Sequence, residues 1–167
     1  MIRLATEKDF DTILDMCDEF WGHTQFDEAF DREHTLNMVA LSHDHGLLVV
    51  ADDGEVFGFM SAIKSPLLGS RLAWMATELA WWVNPPKRGK LVGVQLVSAL
   101  ESLCIKQEVK YLNLAYMETS MPVQVRVLYE KLGYTLQETL YTKVLDGSNN
   151  GCDSWRGRGS NRSLLCK

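Results

Sequence analysis

No apolar run in this sequence approaches the roughly 18 residues that a bilayer-spanning helix requires, so no membrane partner is expected. Cysteine is sparse. The four present, Cys17, Cys104, Cys152 and Cys166, include no pair at the spacing of a metal site. They read as reduced thiols, with Cys104 in the core and with Cys152 and Cys166 able to cross-link on oxidation. The opening Met1-Ile2-Arg3 turns acidic quickly and shows no signal-peptide pattern, so a cytoplasmic protein is expected. Positive charge is also short. Residues 1–150 carry 13 Lys/Arg against 21 Asp/Glu, which argues against a nucleic-acid-binding surface on the main body. The histidines His43 and His45 flank Asp44 but have no third ligand at suitable spacing, so they read as solvated turn residues. Trp74, Trp81 and Trp82 lack interleaved basic residues, so they read as core or pocket walls and not as a base-stacking platform.

What is present is the pattern of one soluble globular domain. The chain has 167 residues, 46% hydrophobic and 23% charged, enough for a sizeable core. Residues 74–104 organise it. An apolar strand over 74–83, interrupted by Thr77 and Glu78, leads into Asn84-Pro85-Pro86-Lys87-Arg88-Gly89-Lys90-Leu91-Val92-Gly93, and a helical pattern runs from Val94 to Cys104. A strand that delivers the chain to a helix N-terminus builds an anion site, because the first-turn amides and the dipole both favour negative charge. Arg88 offers forked donors there, and Lys87 and Lys90 offer point charges.

The remaining elements follow from pattern. A short strand over 2–5 precedes a helix with Thr6 at its cap, Asp9 in a capping-box position, and Phe10, Ile13, Leu14, Cys17 and Phe20 at core spacing. A second helix is expected over 32–42, with Leu36, Met38, Val39 and Leu41 as its apolar members. Strands over 46–51 and 55–63 form a hairpin about Asp52-Asp53-Gly54, with Gly58 marking a close backbone approach or a bulge. Residues 64–71 read as a loop. A strand over 109–116 reads as interior to the sheet. Pro122 then opens a helix that Gly133 ends, and one or two strands follow over 134–144. From Asp146 the chain turns polar and basic, and a flexible tail is expected.

The strand and turn around Val83, Pro85, Arg88 and Gly93 resemble motif A of the GCN5-related N-acetyltransferase (GNAT) family. Leu128-Tyr129-Glu130-Lys131-Leu132-Gly133-Tyr134 resembles its motif B. Leu91 stands where motif A usually has its first glycine; in a normal helical conformation its amide would still donate. Pro122 and Val125 stand where family members usually have asparagine and alanine. The resemblance implies an α/β (α+β) acyl-CoA N-acyltransferase fold: a mixed central sheet flanked by about four helices. Its parallel strands over 74–83 and 109–116 would splay apart to leave a cleft. It implies a domain over 1–145 with 146–167 as the tail. It implies that acetyl-CoA is held by the strand end at Trp82 and Val83 and by Arg88, Gly89, Lys90, Leu91, Val92 and Gly93.

Acetyl transfer from a thioester to an amine needs a base for the amine proton and an acid for the leaving thiolate. Glu78, a charged residue in an apolar strand, is the candidate base; the alternative is an edge glutamate satisfied by a cation. Glu118, just past the neighbouring strand, is a second candidate. The resemblance makes Tyr129 the acid; the alternative is a core tyrosine. Residues 7–33 hold ten Asp/Glu and two Lys/Arg, a lining for a cationic amine or simply a solvated face. The expected function is acetyl-CoA-dependent N-acetylation of a primary amine on a small molecule or protein. The alternative is a non-catalytic binding module of the same fold. A homodimer is possible on this reading, and nucleic acid enters only through the basic tail.

Overall fold

A five-stranded sheet carries the fold, in the order β1-β2-β3-β4-β5. The computed structural model describes residues 1–89, 91–119, 121–143 and 145. Lys90 and the expected tail over 146–167 lie outside the described residues. Met1–Tyr134 form one compact unit, and the described residues from Thr135 on fall outside it.

In the first unit, β1 (Ile2–Leu4) leads to α1 (Phe10–Trp21), α2 (Arg32–Asp44), β2 (Leu48–Asp52), β3 (Val56–Leu67), β4 (Ser70–Val83), α3 (Val92–Lys106), β5 (Val109–Asn113) and α4 (Pro122–Lys131). The first four strands pair antiparallel, and β4 and β5 pair in parallel. Short 3-10 turns at Glu7–Asp9 and Pro85–Lys87 precede α1 and α3. Leu48, Val49, Val50 and Ala51 of β2 are all buried, because apolar clusters cover both sheet faces. One cluster joins Ile13, Leu14 and Cys17 of α1 and Val39 of α2 to Val50, Phe59 and Trp82. The other joins Leu96, Val97, Leu100 and Cys104 of α3 and Tyr129 of α4 to Val49, Met60 and Ala76.

The start of α1 is fixed electrostatically. The Arg3 guanidinium donates to both Asp9 carboxylate oxygens at 2.8 Å and to Asp52 at 2.8 Å. The Thr6 backbone N–H donates to Asp9 at 2.7 Å, as the capping-box reading expects. Gly58 makes the close approach expected of it: a Cβ there would lie 3.1 Å from the Trp82 carbonyl oxygen.

Four readings need correction. The hairpin of β3 and β4 takes in most of the expected loop over 64–71, with Pro66 paired to Trp74 inside it. Proline is tolerated because β2 pairs with β3 only as far as Ser61, so Pro66 lacks an N–H where no strand receives one. In α2, Leu36 and Leu41 are exposed, and Val39 and Ser42 are buried. The Ser42 hydroxyl lies 3.1 Å from the Leu47 carbonyl and 3.0 Å from that of Ala62, and it accepts from the Ala62 N–H at 3.2 Å. Those hydrogen bonds turn the polar side chain inward. β5 ends at Asn113 and is the edge of the sheet among the described residues, with Lys110 and Tyr111 exposed. Finally, residues 135–143 form no strand. Leu136, Leu140, Tyr141 and Leu145 are exposed, and the Gln137 amide donates to the Thr135 hydroxyl at 2.8 Å.

Candidate active site

A one-residue bulge in β4 sets the site. Ser61 pairs with Ala80 and Ala62 with Glu78, so Leu79 has no partner in the ladder. Before the bulge, Ala76 and Glu78 share the face toward α3 and α4; after it, Trp81 and Val83 do, while Ala80 and Trp82 turn to the α1 face. The extra residue therefore puts Glu78 and Trp81 on one side of the sheet.

The parallel pair opens at the same place. β4 and β5 pair from Trp74↔Val109 to Thr77↔Asn113 and no further, while β4 runs on to Val83. This is the splay that the resemblance implies. Glu78 stands where pairing stops. Its carboxylate accepts from the Ala115 N–H at 3.1 Å, bridging the gap that the ladder leaves. The Tyr129 hydroxyl donates to the Ala115 carbonyl at 2.8 Å and lies 3.5 Å from the same Glu78 oxygen. Burial pushes the Glu78 carboxyl up to about 7, against the opposing pull of the Ala115 N–H and Tyr129. Burial, and then the charge of Glu78, hold the Tyr129 phenol well above its ordinary value. Glu118 is exposed and takes no part in this cluster.

A cavity of about 420 Å³ lies between β4, the loop after it and α4. It is lined by Trp82, Val83, Arg88, Gly89, Leu91, Val92 and Gly93, every described residue expected to hold the cofactor. Lys90 was also expected to do so. The α3 N-terminus opens on the cavity, and the amides of its first turn have no acceptor within the helix. Arg88 is held by its own strand: Nε donates to the Val83 carbonyl at 2.8 Å, and the guanidinium carbon lies 4.4 Å from the centre of the Trp82 ring. Lys87 does not line the cavity; its Nζ pairs with Asp53 at 2.6 Å.

Leu91 departs from the conformation expected of it. It caps α3 at φ 66° and ψ 4°, in the left-handed region. A glycine adopts that region without strain, whereas a leucine there costs roughly 1–2 kcal/mol. The conformation accounts for the glycine that motif A usually places at this position.

Sequence reasoning missed the α4 wall. Met121, Gln124, Val125 and Leu128 also line the cavity, at the three- and four-residue spacing of one helix face. That spacing was the available signal. Trp81, read from the sequence as a core or pocket wall, lines the cavity, and a Cβ on Gly93 would lie 2.9 Å from its ring. Glu78 and Tyr129 come together but are not among the residues lining the cavity. The two described cysteines are buried thiols, burial raising Cys17 to about 12 and Cys104 to about 11; Cys152 and Cys166 lie outside the described residues.

No curated protein matches the sequence. Solved structures resemble the fold. A transcriptional regulator from Bacillus halodurans C-125 is 23% identical, with a TM-score of 0.67 over 86% of this chain and 99% of that one. A ribosomal-protein-alanine N-acetyltransferase from Brucella melitensis biovar Abortus 2308 is 16% identical, with a TM-score of 0.66 over 86% and 99%. A predicted acetyltransferase with acetyl-CoA from Clostridium acetobutylicum is 13% identical, with a TM-score of 0.67 over 87% and 96%. At such identities the likeness speaks for the fold. The model of the acetyltransferase (GNAT) family matches residues 8–134, most of the chain and both motifs; the protein belongs to that family.

Proposed function

We propose that the protein is an N-acetyltransferase in which a primary amine attacks the acetyl donor directly, with Glu78 as base and Tyr129 as acid. Acetyl-CoA is the family's cofactor, and it supplies an acetyl group activated as a thioester. The cavity residues fit it. The α3 N-terminus and Arg88 suit the diphosphate, and the apolar walls at Val92, Val125 and Leu128 suit the arm that follows.

The carrying observation is the cluster at the strand opening, where the Glu78 carboxylate and Tyr129 hydroxyl lie 3.5 Å apart around the Ala115 peptide. A carboxyl near 7 is half ionised at neutral pH, so Glu78 can take the proton an attacking amine must lose. Tyr129 keeps a proton on its oxygen for the departing sulfur. A phenol of raised pKa yields that proton readily only as another replaces it, and Glu78 is placed to return the one it has taken. Both groups end the cycle as they began it. No cysteine is needed, since attack is direct.

A cationic acceptor suits the acidic surface of residues 7–33, which the sequence offers as an acceptor lining. Arg32 ties up Asp15 and Asp11 at 2.7 and 3.1 Å, but Asp18, Glu19, Asp27 and Glu28 are exposed and make no ion pair among the described residues. The test is the pH–rate profile on one reactive amine. Tyr129→Phe should bind CoA normally and turn over about 10²- to 10⁴-fold more slowly. Glu78→Gln should lose most at low pH and recover as free amine becomes available. An unchanged Glu78→Gln profile would remove Glu78 as base. Binding of CoA without turnover over a broad amine panel would support the non-catalytic module.

A further inference from the structure

We propose that Trp81 sets the length of the acyl group this enzyme accepts. The inference rests on the acetyl-CoA reading and adds a specificity-determining residue to it. Trp81 belongs to both halves of the site. It lines the cavity with Arg88, Val92 and Gly93. Its ring also lies 6.1 Å from that of Tyr129, tilted by 34°, and Tyr129 reaches Glu78. The carboxylate and the phenol are absent from the cavity lining, so an acyl group that enters the cavity meets the indole on its way to them.

The indole has little room to yield. Gly93 is the wall behind it: a Cβ there would stand 2.9 Å from Cζ2 and 3.4 Å from Cη2. It also packs against the apolar cluster that includes Val92, Leu96 and Tyr129. Gly93 thus serves to admit a large side chain from the strand as well as to bring the helix close to the ligand. The sequence pairs a missing side chain on α3 with the largest one on β4, and the sum leaves space for a short acyl group. A longer chain must displace the indole from a packed position.

Binding measures this without an acceptor. The full chain is titrated calorimetrically with CoA, acetyl-CoA, butyryl-CoA and hexanoyl-CoA, as wild type, Trp81→Ala and Trp81→Phe. Wild type should bind hexanoyl-CoA at least about 10-fold more weakly than acetyl-CoA, the scale of extra methylenes in a closed pocket. Trp81→Ala should erase that gap and Trp81→Phe should narrow it, each variant's acyl ligands being compared with its own affinity for CoA. Equal affinity of wild type for acetyl-CoA and hexanoyl-CoA would overturn the inference. So would variants that weaken all four ligands alike. If Trp81→Ala does not fold, an unchanged gap in Trp81→Phe overturns it. A wild-type protein that binds none of the four would instead overturn the acetyl-CoA reading.

Discussion

Asp9 and Glu78 are two carboxylates set against the apolar core, and they reach opposite electrostatic states. Asp9 receives two hydrogen bonds from Arg3 and one from the Thr6 N–H, and Arg3 holds its carboxyl well below the usual range. Glu78 has one backbone donor, a phenol at 3.5 Å and no ion pair among the described residues, and burial raises it to about 7. The same functional group is thus locked in its charged form at one end of the sheet and left undecided at the other. Two things differ: the partner, and the weight of burial, which leads for Glu78 and is overridden by Arg3 for Asp9. A guanidinium fork fixes the proton count, whereas an amide and a phenol leave it open to the medium.

That contrast is open to attack in four ways, from the largest effect downward. The first is turnover. Glu78→Gln should cost about 10²- to 10⁴-fold, while Asp9→Asn, measured on folded protein, should leave the rate nearly intact; steady-state kinetics separates them. The second is stability. Asp9→Asn removes half of a shielded pair while Arg3 keeps Asp52, so urea unfolding at pH 7 should show a loss of about 2–3 kcal/mol.

The third is pH dependence, where the signs oppose. The Asp9 carboxyl is depressed on folding, so its contribution is present above pH 4 or so and is lost as pH falls below its ordinary value of 3.8. The Glu78 carboxyl is raised on folding from 4.5 to about 7, so ionising it costs the folded state. Stability from this group falls as pH climbs through that window and is flat beyond it. Glu78→Gln should match wild type near pH 4 and exceed it at pH 8 by something on the order of 1–3 kcal/mol. Melting temperatures across pH 4–8 read the difference. The fourth is the smallest. Leu91→Gly relieves a left-handed leucine, and it should stabilise the protein by about 1 kcal/mol without weakening CoA.

The strand, turn and helix of the proposed cofactor site were legible because their chemistry is local. Prolines, glycines and an apolar run state the strand end and the helix start, and Gly133 does end α4 with φ 89°. The pairing of Glu78 with Tyr129 was legible through motif resemblance, since 51 positions separate them. What escaped depended on distant neighbours. Nothing near Ser42 says that it replaces Leu41 on the inner face of α2; that follows from the Leu47 and Ala62 carbonyls. Pro66 reads as a breaker unless β2 is known to stop pairing at Ser61. Leu91 looks like an ordinary helical residue, and its left-handed backbone follows from the loop it closes.

Leu79 gives the strand something like a reading frame. Side chains along β4 alternate between two faces, and one inserted position shifts every later residue by one. Substitutions at Leu79, which is 38% exposed, leave that frame untouched and should be nearly silent. Its deletion would leave Glu78 and Ala80 adjacent, opposite the adjacent Ala62 and Ser61, so the ladder would close without a bulge and Trp81, Trp82 and Val83 would keep their faces. The site should therefore drift freely in the identity of this residue, and its loss should cost the local bend and added twist that the bulge gives β4, not the faces of the side chains after it.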